Sequence, residues 1–176
     1  MFDKIKLKIA HFVINKKYVK RMDEPISYNK IVSNSINFFI VMPKDDNDFY
    51  HSLEVIRYFQ LHHKIITLFL SEHKYNLVPE KEKYRYISYH NEMVNRFNLP
   101  NKSLVQRLNR KEFEIVIDLN KNEDVFFSAV SNIVQSKLKI GFNKERSENY
   151  YNLQITGSNG DSELIYKSFL SFLLMF

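Results

Sequence analysis

FEIVIDLNKNEDVFFSAVSNIVQSKLKIGF, residues 113–142, carries the pattern on which the fold turns. FEIVIDL (residues 113–119) is an apolar run as dense as that of a strand covered on both faces. A polar step from Asn120 to Asp124 follows. Val125, Phe126, Ala129, Val130, Ile133 and Val134 then recur at helical spacing, which predicts a helix over residues 123–136. KLKIGF (residues 137–142) is strand-like again. A strand, a helix and a strand joined so closely make a crossover, which requires parallel pairing and a right-handed connection.

The same alternation runs outward along the chain. INFFIVM (residues 36–42), KIITLFL (64–70) and YRYISY (84–89) read as three earlier strands. Between the first two, Phe49, Leu53, Ile56, Tyr58 and Phe59 fall on a helical period, and Asp46 or Asp48 is placed to cap that helix. A short helix is expected over residues 103–109, after Leu99-Pro100, and a last apolar helix over 162–176. Residues 143–160 read as a polar connection with Gly157 and Gly160 in a turn. The sum is an α/β domain, a single Rossmann-like, doubly wound parallel sheet of about five strands in the order 3-2-1-4-5. Such sheets bind ligands beyond the strand C-termini, where the order reverses. Here that point lies between the first and fourth strands, flanked by the acidic loops 43–48 and 120–124.

Composition narrows the chemistry. The chain has 176 residues, 44% of them hydrophobic, which suits one globular domain. It has no Cys, so no disulfide framework and no thiolate chemistry. It has 3 Gly, and neither G-x-G-x-x-G nor G-x-x-x-x-G-K-[ST] occurs. No H-E-x-x-H is present among the 6 His, so no metal or cofactor is expected.

The formal charge of +6 is local. Residues 1–21 hold Lys4, Lys6, Lys8, Lys16, Lys17, Lys20 and Arg21 against Asp3 alone, which leaves the remainder neutral. Phe2, Ile5, Ile9, Phe12 and Val13 give this segment the spacing of one helix face. Pro25 ends it, so residues 1–35 read as a basic amphipathic helix with a connector, and 36–176 as the domain. Lysines interrupt the apolar residues and no small-residue cleavage site follows, unlike a signal peptide. Nor is there an apolar run of about 18 residues, the length of a membrane span. Such a helix suits an anionic membrane surface or a protein partner. It can also pack on its own domain. Nucleic acid is disfavoured, because the rest of the chain offers no basic groove.

Four residues stand out as site candidates. Asp48 is a candidate general base after the first strand. Asp118 and Asn120 end the fourth strand, at the functional edge of this fold class. Arg146, followed by Tyr150 and Tyr151, suits a phosphate or a sugar ring by charge and stacking.

Residues 113–142 also resemble the N-terminal domain of glycosyltransferase family 9, the ADP-heptose:lipopolysaccharide heptosyltransferases. The shared features are Asp118-Leu119 at a strand end, Ser128-Ala129 in the helix and Ile140-Gly141-Phe142 closing the next strand. The resemblance covers roughly residues 37–176. It implies half of a two-domain GT-B fold, the half that holds the acceptor; the other half binds the nucleotide-sugar donor. The family's Gly-Asp pair, whose Asp acts as base on the acceptor hydroxyl, matches Asn47-Asp48 here. Gly is replaced by Asn, and the Thr-Pro that follows in the family is absent, with Leu53-Glu54 near its place. The implied protein is a stand-alone relative of the acceptor-side domain. It would bind a saccharide or glycolipid of the cell envelope, catalyse inverting transfer only with a donor half supplied by a partner, and sit in the cytoplasm or on the inner face of the plasma membrane. The alternative is a non-enzymatic interaction module, docked on a membrane or protein through residues 1–21.

Overall fold

The structure, a computed structural model, describes residues 2–20, 25–157 and 160–176. Six parallel strands form one sheet in the order β3-β2-β1-β4-β5-β6. They are β1 (Asn37–Val41), β2 (Ile65–Ser71), β3 (Arg85–Tyr89), β4 (Glu112–Asp118), β5 (Gln135–Phe142) and β6 (Leu153–Ile155). The expected order holds for the first five strands, and β6 extends the sheet beyond them. Its three residues pair with Ile140, Gly141 and Phe142 within the stretch expected to be a plain polar connection.

Among the described residues the α-helices are α1 (Phe2–Lys17), α2 (Ile31–Asn34), α3 (Asp46–Leu61), α4 (Lys102–Asn109), α5 (Val125–Ile133) and α6 (Ser162–Leu173). Alternation along the strands explains the layers. Phe38, Ile40, Leu68, Leu138 and Ile140 face α3 and α6, packing on Phe59, Tyr166 and Phe169. Phe39, Val41, Phe69 and Val116 face the other way, toward α1, α4 and α5. Both sheet faces are therefore covered, which is why β1 and β4 read as unbroken apolar runs.

The central crossover is shorter than its apolar pattern suggests. α5 spans Val125–Ile133, and Ser136, expected in the helix, lies in β5. Val134 is already extended, with φ −69° and ψ 145°. Every residue of α5 is buried, since sheet, α1 and α4 surround it. The apolar spacing runs on into the buried Val134 after the helix has ended, so periodicity could not mark the boundary.

The cap of α3 is Asp45, whose side chain accepts the Asp48 backbone N–H at 2.9 Å; neither Asp46 nor Asp48 does this. The connector before β1 contains the single turn α2, whose Val32 reaches the core.

α1 meets the domain with the face opposite its larger apolar side chains. Ala10, His11 and Ile14 are buried, with Ala10 and Ile14 in the core between α1, α5 and the sheet. Ile5, Ile9 and Phe12, the face read for a membrane surface, a partner or the domain itself, are 51%, 39% and 64% exposed. At about 100° per residue these two sets lie on opposite sides of the helix.

Candidate functional site

The switch point is built by the β1–α3 and β4–α5 loops, and Asn120 joins them. Its side chain accepts the Lys44 backbone N–H at 3.1 Å and donates to Met42 O at 3.3 Å and to Asp118 Oδ1 at 2.7 Å. Asn120 is thus a staple between the two loops.

Asp118 is fully buried. Its Oδ2 accepts from the Lys144 ammonium at 2.8 Å and from the Tyr151 hydroxyl at 2.5 Å. Its Oδ1 accepts the backbone N–H of Asn120 at 3.0 Å. Burial is the first reason that the Tyr151 phenol is pushed well above its usual range, and the Asp118 charge the second. Tyr151 therefore serves Asp118 as a protonated donor. The ring of Tyr151 lies against Gly141, where a Cβ would come within 3.0 Å of three ring atoms. The glycine of I-G-F thus makes room for the tyrosine that reaches Asp118.

Asp48 is also buried, and its Oδ1 accepts from Lys121 Nζ at 2.6 Å and from the Ser162 hydroxyl at 2.7 Å. Ser162 opens α6, so Asp48 ties α3 to α6. Asp46 pairs with the buried Lys74 at 2.9 Å, and Lys74 also donates to Lys44 O at 2.6 Å. Two clefts of about 430 and 380 Å³ remain at this edge. Asp48, Asn120 and Lys121 line the larger; Ser71, His73 and Asn91 line the smaller.

The four sequence candidates do not converge. Asp118 and Asn120 form one unit and Asp48 a second. Arg146 belongs to neither: it sits at φ 60° at the start of a short turn, and its guanidinium lies 3.7 Å from Glu145. Asp118 is locked from solvent, which suits a structural charge rather than a ligand contact. The lysines that neutralise these acids, Lys74, Lys121 and Lys144, lie in loops and turns without periodicity, so sequence spacing gave no signal for the pairings. Among the described residues, no group of three His, Asp or Glu side chains could hold a metal ion.

A further cluster escaped the sequence reading. His11, on the inner face of α1, shares a 2.5 Å hydrogen bond through Nδ1 with the Tyr150 hydroxyl. Its Nε2 lies 3.1 Å from Glu123 Oε1, off the line of a good hydrogen bond. Burial pushes the Tyr150 phenol up to about 12 and raises the Glu123 carboxyl, while burial, then Arg146, lowers His11. His11 therefore docks in its neutral form.

The profile of a family described as "Family of unknown function (DUF6913)" matches residues 6–176. The chain belongs to this family. No curated protein matches it. The DUF6913 match starts inside α1, so most of the helix, His11 included, lies within the family's extent.

The His11 contact of this DUF6913 member gives a pH prediction. The folded chain holds the His11 proton less tightly than the unfolded chain, whose value is near 6.5. Its contribution to stability is full above that value and is lost as pH falls below it toward the folded value. Glu123, raised in the fold, tilts the opposite way and is common to wild type and a His11→Gln variant. The stability advantage of wild type over His11→Gln should narrow as pH drops from 7.5 to 5 in about half-unit steps, read by urea unfolding. A constant gap would show that the docked His11 is not held neutral.

Proposed function

We propose that this domain is a non-catalytic docking module that seats on an anionic membrane surface through the outer face of α1, with its sheet as the scaffold behind it. The observation that carries this reading is the exposure of Ile5, Ile9 and Phe12 on the side of α1 turned away from the domain. Lys4, Lys8 and Lys16 are exposed on the same helix, and Lys16 stands 5.6 Å over the Phe12 ring. Apolar side chains flanked by ammonium groups match an interface of acyl chains and acidic headgroups. Each lysine near such a surface adds about 1 kcal/mol of attraction. The opposite face is anchored by Ala10, Ile14 and His11, so the helix can stay docked while its outer face is used. Among the described residues no helix is long and apolar enough to cross a membrane, so attachment is peripheral in this reading, on the inner face of the plasma membrane. Against catalysis, both buried aspartates of the switch point are already engaged by lysines.

Vesicle flotation tests the reading. The protein should float with vesicles rich in phosphatidylserine and not with pure phosphatidylcholine. The triple variant Ile5→Glu/Ile9→Glu/Phe12→Glu should lose at least about tenfold in binding with an unchanged melting temperature, since those side chains contact no core. Equal binding of both vesicle types, or full binding by a folded triple variant, would refute it and leave a protein partner for this face.

A second reading keeps the acceptor-side domain of a heptosyltransferase-like enzyme. The observation in its favour is the strand order, with polar clefts at the switch point. In it Asp48 is the base and a saccharide or glycolipid is the acceptor. Calorimetry with an envelope saccharide separates the two readings: binding that Asp48→Asn abolishes favours the acceptor domain, and no binding favours the module.

A further inference from the structure

A groove of about 1170 Å³ runs beside the first half of β5, away from the switch point. It lies against Asn15 and Lys20 at the end of α1, and its lining includes Asn132, Lys139 and Asn152. β6 pairs with β5 only from Ile140 onward, which leaves the preceding residues without a neighbouring strand on that side.

Lys139 is held at both ends. Its backbone N–H donates to Asn152 Oδ1 at 2.9 Å, and its carbonyl accepts the Asn152 N–H at 2.9 Å. Its ammonium donates to Asn132 Oδ1 at 3.2 Å. Asn132 is buried and fixed in turn, since its Nδ2 donates to Ser128 O at 2.8 Å. An ammonium has three donors, and Asn132 is the acceptor that Lys139 meets among the described residues. Lys74, Lys121 and Lys144 each meet a carboxylate instead. Burial, and then Lys20, push Lys139 down to about 8. Lys20 and Lys137 share the groove with Lys139, against Glu112 and Glu148, so among the described residues ammonium groups outnumber carboxylates there.

We propose that this groove is a binding site for a phosphate group, with the Lys139 ammonium as its central contact and the neighbouring amide side chains as further donors. Phosphate offers several acceptor oxygens to a point charge surrounded by amides, which is how lysine binds it elsewhere. The group can come from a free phosphomonoester or from a lipid headgroup. The site stands apart from the outer face of α1 and does not depend on the membrane reading.

Binding of an anion raises the Lys139 pKa, so it draws in a proton near pH 8, where phosphate is already a dianion; near pH 6 the lysine is already charged and takes up none, and a dianion bound there releases phosphate's own proton instead. Titration calorimetry of the full chain with inorganic phosphate in buffers of different ionisation enthalpy reads this directly. The expected result is saturable binding, proton uptake at pH 8 that vanishes at pH 6, and at least a tenfold weaker affinity in Lys139→Met. A parallel arm uses short-chain phosphatidic acid, with short-chain phosphatidylcholine as its control. Lys139-dependent binding of inorganic phosphate supports a free source; such binding of phosphatidic acid alone supports the lipid source. If Lys139→Met fails to fold, ¹³C-methylated lysines of the native protein serve instead, with Lys139→Arg to assign the signal. The Lys139 resonance should titrate near 8 and move upward with phosphate. Absence of binding in both arms, or binding equal in Lys139→Met, overturns the proposal.

Discussion

Lys144→Met should lower stability by about 3–5 kcal/mol, the cost of leaving a buried charge without its partner. Asp118 has no exposed surface, and Lys144 is its only cationic contact among the described residues. Methionine keeps the apolar stem of the lysine, so the loss is that of the ammonium: its charge beside Asp118 and its hydrogen bond to Asn120 O at 2.9 Å. For a domain of this size each kcal/mol moves the melting temperature by about 2–4 °C, so a fall of roughly 6–20 °C is expected. Adding Asp118→Asn should recover much of that loss, because a neutral amide removes the stranded charge while Asn120 and Tyr151 still meet its side chain. A fall below about 2 °C in Lys144→Met would mean that Asp118 is not held as an ion pair.

Gly141→Ala should cost about 1–3 kcal/mol although it adds a single methyl group. The added Cβ would meet the Tyr151 ring at 3.0 Å, and the neighbour on that side is a buried ring with little freedom to retreat. Moving the ring also draws its hydroxyl away from Asp118. A double-mutant cycle separates the two effects. In a Tyr151→Ala background the cost of Gly141→Ala should nearly vanish, since there is no ring to strike. In Tyr151→Phe it should persist, reduced by the hydroxyl's share. An unchanged cost in Tyr151→Ala would place the strain elsewhere. Thermal unfolding of the four proteins in each cycle supplies the numbers.

The layers of the fold were legible because burial on both faces leaves a continuous apolar signature in Phe38–Val41 and Ile115–Ile117. The sixth strand was not, because Leu153, Gln154 and Ile155 are too few to show a period. For a different reason, the inward face of α1 was not legible either. Its largest apolar side chains are on the outer face, while the inner face is held by a small alanine, one isoleucine and a histidine. Size-weighted periodicity selects the wrong side of such a helix. At the switch point, the positions of Asp48, Asp118 and Asn120 followed from strand ends. Their partners did not: Lys121, Lys144 and Ser162 come from three separate loops or helix starts. Only the assembled sheet, with its loops gathered at one edge, brings them to the acids.

The His11–Tyr150 contact joins residues 139 positions apart. A ribosome adds about 5–20 residues per second, so some 7–30 s pass between the emergence of the first and the second. For most of that interval the inner face of α1 has neither β4, Glu123 nor β5 to dock against, and Tyr150 arrives only at its end. The helix therefore leaves the ribosome with both of its apolar sides uncovered and its lysines exposed. Its first encounter during synthesis is with whatever surrounds the nascent chain, and docking onto the domain comes last. The order of synthesis thus gives an external surface the earliest claim on α1, before the chain that follows can compete for it.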